Sequence, residues 1–177
     1  LYNDATFTVA KNFSFSMNDG TNQNDLLLYL YNNTILNTGT TTSHTATVTQ
    51  FDGNNMEIYL ASNAVWNNAG DLYWNYSDGS DASYGNLNNY SELNVGKDFI
   101  ITNDQNSSEF SIYVNTNALL NVDGNLDVSS ASTSNRIEIK LGSLSKVELG
   151  GNFIRSAAPN NYGELWMAST ATVEFNG

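Results

Sequence analysis

Residues able to do chemistry are sparse in this chain, and those that stand out recur at a nearly constant interval. Histidine occurs once, at His44, and cysteine is absent, while tyrosine occurs 10 times. Tyr29, Tyr59, Tyr113 and Trp166 share one place in a pattern that returns about every 27 residues, with Asn88 and Lys140 at the same place between them. A row of solvent-facing rings can stiffen a sheet, each cross-strand pair contributing about 0.5–1 kcal/mol. Such a row can equally stack on sugar rings or pack against a neighbouring fibre. A second row, Asn12, Thr41, Asp71, Asp98, Asn125 and Asn152, falls at a tight Gly/Asn/Asp corner. Asn and Asp tolerate left-handed backbone and hydrogen-bond nearby backbone groups, so a structural ladder is expected here. A carboxylate row that binds metal would need several adjacent acids, and only Asp71 and Asp98 fall together.

Catalytic patterns are thin. The single histidine lies in a Thr/Ser-rich stretch, which gives little support to a Ser-His-Asp triad or a histidine metal site. A polysaccharide-degrading β-helix enzyme needs clustered acids with Arg or Lys on one solvent face, and the 6 basic residues are scattered. Catalysis is therefore not expected. Polar segments between the apolar alternations carry Asp19, Asp25, Asp52, Asp78, Asp81 and Asp104. A hard cation such as calcium accepts such oxygens, but the segments differ in length and lack a calcium-binding nonapeptide. Solvated acidic loops are the expectation, with no cofactor assigned and calcium the one cation they would suit. Asn-X-Ser/Thr triplets start at Asn12, Asn32, Asn75, Asn89 and Asn106, as chance allows in a chain this rich in Asn, Ser and Thr.

Charge narrows the partners. Eighteen acidic residues stand against 6 basic ones, a net charge of −12. Nucleic-acid binding needs Lys and Arg to displace counterions from phosphates, and anionic membrane surfaces repel such a chain. No apolar run approaches the ~20 residues of a membrane helix. The chain opens at Leu1 without an initiator Met or signal peptide, which suggests a piece of something longer.

What must position the two rows is an internal repeat. Ser91 to Asn117, Ala118 to Leu144 and Ser145 to Thr170 align, and a further copy begins at Ala171. Ala5 to Asn33 fits well, Ala64 to Tyr90 fits at its front, and Thr34 to Asn63 fits loosely. Each copy opens with an alternating apolar pair, as in Leu93 and Val95 or Leu120 and Val122. A corner follows, then a second pair such as Phe99 and Ile101. A polar segment leads to a third set such as Phe110, Ile112 and Val114. Period-2 alternation turns one face inward. Stacking equivalent strands about 4.8 Å apart buries those faces in one continuous core. The fold expected is all-β: a parallel β-helix, or β-solenoid, of about six coils of 26–30 residues, forming a single domain over residues 1–177. Arg155 falls where Phe15, Trp74, Ile101 and Val128 point inward, and a local departure from register is expected there, because an unpaired buried guanidinium is costly.

The phrases Val147 to Phe153 (VELGGNF), Leu120 to Leu126 (LNVDGNL), Leu93 to Phe99 (LNVGKDF) and Ser169 to Gly177 (STATVEFNG) resemble the repeats of large secreted surface proteins of Bacteroidota. Filamentous adhesins share that architecture. The resemblance implies a stalk or adhesive segment of an extracellular surface protein or filament. Its partners would be further copies of itself, neighbouring surface fibres, or glycans. It offers no catalytic residues. Carbohydrate binding through the aromatic row is the alternative reading.

Overall fold

A strand with one apolar face is stable only when neighbours bury the same face. The computed structural model shows how this chain supplies them. It describes residues 1, 4–18, 26–51, 55–77, 84–103, 109–130, 136–157 and 162–177, and at several strand ends only the backbone. The first turn comprises β1 (Thr6–Val9), β2 (Phe13–Asn18) and β3 (Leu26–Leu30). The second comprises β4 (Ile35–Thr38), β5 (Thr45–Phe51) and β6 (Asn55–Leu60), and the third β7 (Val65–Asn68), β8 (Asp71–Ser77) and β9 (Tyr84–Asn89). The fourth holds β10 (Glu92–Val95), β11 (Phe99–Asn103) and β12 (Glu109–Val114), and the fifth β13 (Leu119–Val122), β14 (Leu126–Ser130) and β15 (Arg136–Leu141). β16 (Lys146–Leu149), β17 (Phe153–Ala157) and β18 (Tyr162–Met167) make the sixth, and β19 (Thr172–Phe175) follows. Corresponding strands pair in parallel, building one sheet of 7 strands and two of 6 among the described residues. The fold is a parallel β-solenoid.

Register is kept from turn to turn, so like stacks on like. Leu36, Trp66, Leu93, Leu120 and Val147 form one inward column of the first sheet. Ala46, Leu72, Phe99 and Leu126 form one of the second. A single hydrophobic cluster joins these with Leu30, Met56, Ile58 and Leu60 of the third, and Trp66, Trp74 and Phe99 are wholly buried within it. Two polar side chains enter the same core. Thr38 and Asn68 are buried, and they satisfy each other: the Thr38 hydroxyl donates to Asn68 Oδ1 at 2.9 Å, and Trp66 Nε1 donates to Thr38 Oγ1 at 3.0 Å. Paired in this way they avoid the 1–3 kcal/mol cost of an orphaned buried polar group, roughly.

One irregular stretch keeps the repeat, and one expectation fails. The polar stretch Tyr84–Asn89 lacks clean alternation yet forms β9, since Leu87 falls opposite both Ile58 and Ile112. Pairing on both sides decides its conformation where local pattern does not. Arg155 causes no departure from register: its backbone lies opposite Val128 as Val128 lies opposite Ile101. Unbroken parallel pairing from Phe153 to Ala157 holds the strand in step. The Arg155 side chain lies outside the described ones.

Corners differ in kind. Between first-sheet and second-sheet strands successive turns approach so closely at some glycines that no side chain fits: a Cβ on Gly70 would sit 1.9 Å from the His44 carbonyl oxygen, and one on Gly150 2.1 Å from that of Asp123. Between third-sheet and first-sheet strands a four-residue turn recurs, closed by N–H donation from Thr34 to Tyr31, Ala64 to Ala61, Ala118 to Asn115 and Ser145 to Gly142. Its third residue is left-handed: Asn33, Asn63 and Asn117 at φ 57°, 62° and 62°, and Leu144 at 58°. Asn adopts that region readily, whereas an ordinary side chain pays about 1–2 kcal/mol. Leu144 is 64% exposed and so has little packing to offset the strain. Leu144→Asn is expected to raise stability by about 1 kcal/mol, read as a higher urea midpoint.

Candidate functional site

The aromatic row lies on the outward face of the third sheet. Six positions share one register: Tyr29 is opposite Tyr59, then come Asn88, Tyr113, Lys140 and Trp166. The solenoid thus brings together all four aromatic residues singled out from the sequence. Their rings do not form one flat strip. Tyr29 and Tyr59 meet edge-to-face, with centroids 5.6 Å apart and planes at 73°. Asn88 then separates this pair from the later turns. There Lys140 places its ammonium over the Tyr113 ring, 5.0 Å from the centroid, a cation–π contact. Trp166 is 54% exposed.

Two further tyrosines belong to the first group, and spacing did not single them out. Tyr31 and Tyr90 sit just past the ends of β3 and β9, next to the row. Tyr31 contacts Tyr29 at 6.3 Å, and Tyr90 contacts Tyr59 at 5.3 Å. Four tyrosines therefore run in ring-to-ring contact across three turns. Both added rings are about two-fifths exposed. The phenol of Tyr29 donates to Glu57 Oε2 at 2.6 Å, which fixes that ring's tilt. In the later turns, Glu138 on the same outward face is nearly buried and pairs with Lys140. The Ser111 hydroxyl also donates to it, at 3.4 Å. The hydrogen bond to Glu138 outweighs burial and holds the Lys140 ammonium above the usual lysine value.

The corner row proves to be a ladder of side chains reaching up to backbone. Asp71 Oδ1 accepts from the Asp98 N–H at 3.2 Å, Asp98 Oδ1 from the Asn125 N–H at 2.6 Å, and Asn125 Oδ1 from the Asn152 N–H at 2.9 Å. The Asn125 amide also donates back to Asp98 at 3.1 Å. At the foot, Asn12 Oδ1 accepts from the N–H of Thr45, not Thr41. Thr41 belongs to a longer corner in the second turn, where its hydroxyl meets Ser43 at 2.7 Å and His44 Nδ1 accepts from the Thr40 N–H at 3.1 Å. Extra residues ahead of β5 shift the rung by four places. His44 thus braces a corner. Among the described residues no group of three His, Cys, Asp or Glu could hold a metal ion. The acidic positions Asp19, Asp25, Asp52, Asp78, Asp81 and Asp104 lie outside the described residues.

A third ladder runs up the first sheet. On the outward face of the first sheet, Thr8, Asn37, Asn67, Asn94, Asn121, Glu148 and Glu174 stack in register. The Asn67 amide donates to Asn37 at 2.9 Å, and that of Asn94 to Asn67 at 2.8 Å. Lys146 bridges Glu148 and Glu174 at the far end, so one ammonium offsets part of the repulsion between the two stacked carboxylates. The signal is Asn at the second place of LNT, WNN, LNV and LNV, once per repeat. On the second sheet Thr102 donates to Asn75 at 2.6 Å and Asn75 to Thr49 at 3.3 Å, so the Asn75 amide is spent on the ladder.

Comparisons with known proteins gave no match: no family model fits the chain, and no curated sequence or solved structure resembles it significantly.

Asp98 joins two turns through its charged oxygen, so Asp98→Ala is expected to cost about 1–3 kcal/mol, measured by urea denaturation. The raised Lys140 value means its stabilisation is complete below the ordinary 10.5 and is lost as pH rises through the raised value. Lys140→Met is expected to flatten the fall of stability above pH 10.5, measured by melting against pH.

Proposed function

We propose that this chain is a structural and adhesive segment of an extracellular bacterial surface protein or filament, and that it acts by contact instead of catalysis. The observation that carries this reading is the set of outward ladders. Solvent-facing polar side chains are joined turn to turn: Asn to Asn on the first sheet, Thr to Asn on the second, Asx to backbone at the corner. Side chains committed to their own neighbours stiffen a rod and leave few groups for chemistry. Such cross-links raise the resistance of a nearest-neighbour array to local opening.

The acidic surface supports the same setting, because like charges keep fibres soluble and apart until a specific contact forms. Tyr31, Tyr90 and Trp166, with the half-buried Tyr29 and Tyr59 beside them, are the aromatic surface able to make that contact, with further copies, neighbouring fibres or glycans as partners. The repeat phrases that resemble Bacteroidota surface proteins point in the same direction.

Replacing Tyr29, Tyr59 and Trp166 together by Ser tests the adhesive half. The variant is expected to keep its β-sheet circular dichroism and to lose attachment of protein-coated beads to cells and to one another. Undiminished attachment would sink the adhesive reading, and immunogold labelling confined to the cell interior would sink the surface assignment.

A further inference from the structure

One corner of the solenoid is shorter than its neighbours. From Leu60 the chain takes three residues to reach Ala64, and from Val114 it takes three to reach Ala118. From Asn89, which lies in register between Leu60 and Val114, only Tyr90 intervenes before Ser91. The four-residue turn is missing here, and the buried Asn89 side chain replaces it. Its Oδ1 accepts from the Ser91 N–H at 2.9 Å, and its Nδ2 donates to the Leu119 carbonyl at 2.7 Å. The omitted residues leave a notch of about 320 Å³ between the turns on either side. Ser62 and Asn63 wall one side and Thr116 and Asn117 the other, with Tyr90 and Glu92 between them.

We propose that this notch binds a neutral saccharide, seated against the ring of Tyr90. The volume is at the lower end of the range for small-molecule sites, roughly 300–1,000 Å³. Tyr90 is 42% exposed, and its contact with Tyr59 at 5.3 Å holds the ring in place before any ligand arrives. A pyranose offers such a ring an apolar C–H face and directs its hydroxyls to the rim. Hydroxyl and amide groups meet them there. The side chains of Ser62, Asn63, Thr116 and Asn117 have no hydrogen-bond partner among the described residues. Glu92 is held by the Asn94 amide at 2.7 Å through one oxygen, leaving the other as an acceptor. Among the described residues no Lys, Arg or His lines the notch. With Glu92 in the wall and a net charge of −12, uronates, sulfated sugars and phosphates are repelled. The row Tyr59, Tyr29 and Tyr31 leads away from Tyr90 and extends the apolar surface for a longer oligosaccharide. This site adds a ligand to the contact face proposed above, and it stands whether or not the rod proves to be a surface filament.

The test is titration calorimetry of the whole chain with free neutral gluco-, galacto- and manno-configured oligosaccharides, their N-acetylamino forms, and matched oligouronates. A dissociation constant on the order of 1 mM or tighter is expected for at least one neutral series. Two variants locate the site. Tyr90→Ala is expected to weaken binding about tenfold or more. Replacing Tyr90-Ser91 by Ala-Ser-Asn-Ala, the corner of the preceding turn, restores the four-residue turn and fills the notch, and is expected to abolish binding. That second variant follows a corner the solenoid already uses, so its folding is checked against an unchanged circular dichroism spectrum. No binding of any neutral saccharide, stronger binding of uronates, or affinity untouched by both variants would overturn the proposal.

Discussion

Parallel strands stacked about 4.8 Å apart can be hydrogen-bonded only in step, and nearly every other feature of this molecule follows from that constraint. Each residue stands directly above its counterpart one repeat earlier, so any side-chain type becomes a column. Apolar columns cost nothing and merge into one core. Polar columns must be made compatible with themselves. Asparagine is suited to this, since its amide both donates and accepts, and the chain Thr8, Asn37, Asn67, Asn94 uses that property on the first sheet. Carboxylates are not self-compatible. Where Glu148 stacks on Glu174, a lysine sits across both.

The same constraint explains how irregularities are tolerated. Inserted residues in the second turn bulge at the corner, where Thr41 and His44 bond locally, and Thr45 still takes up the rung above Asn12. The deletion after β9 is harder to accommodate, because a turn vanishes and its backbone bonds go with it. Asn89 answers with a side chain that supplies one acceptor and one donor. Register is preserved in both cases, and the cost appears as altered surface shape. Irregular corners are therefore where this rod acquires features that its regular turns lack. The tyrosine group and the notch both border the shortened corner.

Much of this was legible in the repeat. Inward residues such as Leu93, Val95, Leu120 and Val122 were identified by alternation, and the row Tyr29, Tyr59, Tyr113, Trp166 by interval alone. Interval failed where the interval changed. Equal spacing puts Thr41 on the corner ladder, whereas the longer corner of the second turn hands that rung to Thr45. Tyr31 and Tyr90 lie outside the strand alternation, so spacing does not mark them; Tyr31 touches the row within its own turn and Tyr90 touches it one turn back. β9 is marked by interval, which puts Asn88 in the row, and not by alternation; pairing with β6 and β12 holds its conformation.

The sequence by itself determined that the chain is a stack: period-2 alternation inside a longer repeat has no other economical burial. It determined as well which residue types form columns. Only the tertiary structure decided what those columns do, because ring angle, hydrogen-bond direction and corner length depend on neighbours one turn away. Tyr29 and Tyr59 are a pair in the sequence, and their 73° crossing is a property of packing. Asn89 is one polar residue among many in the sequence. In the fold it is buried, replaces a turn, and opens a notch beside Tyr90.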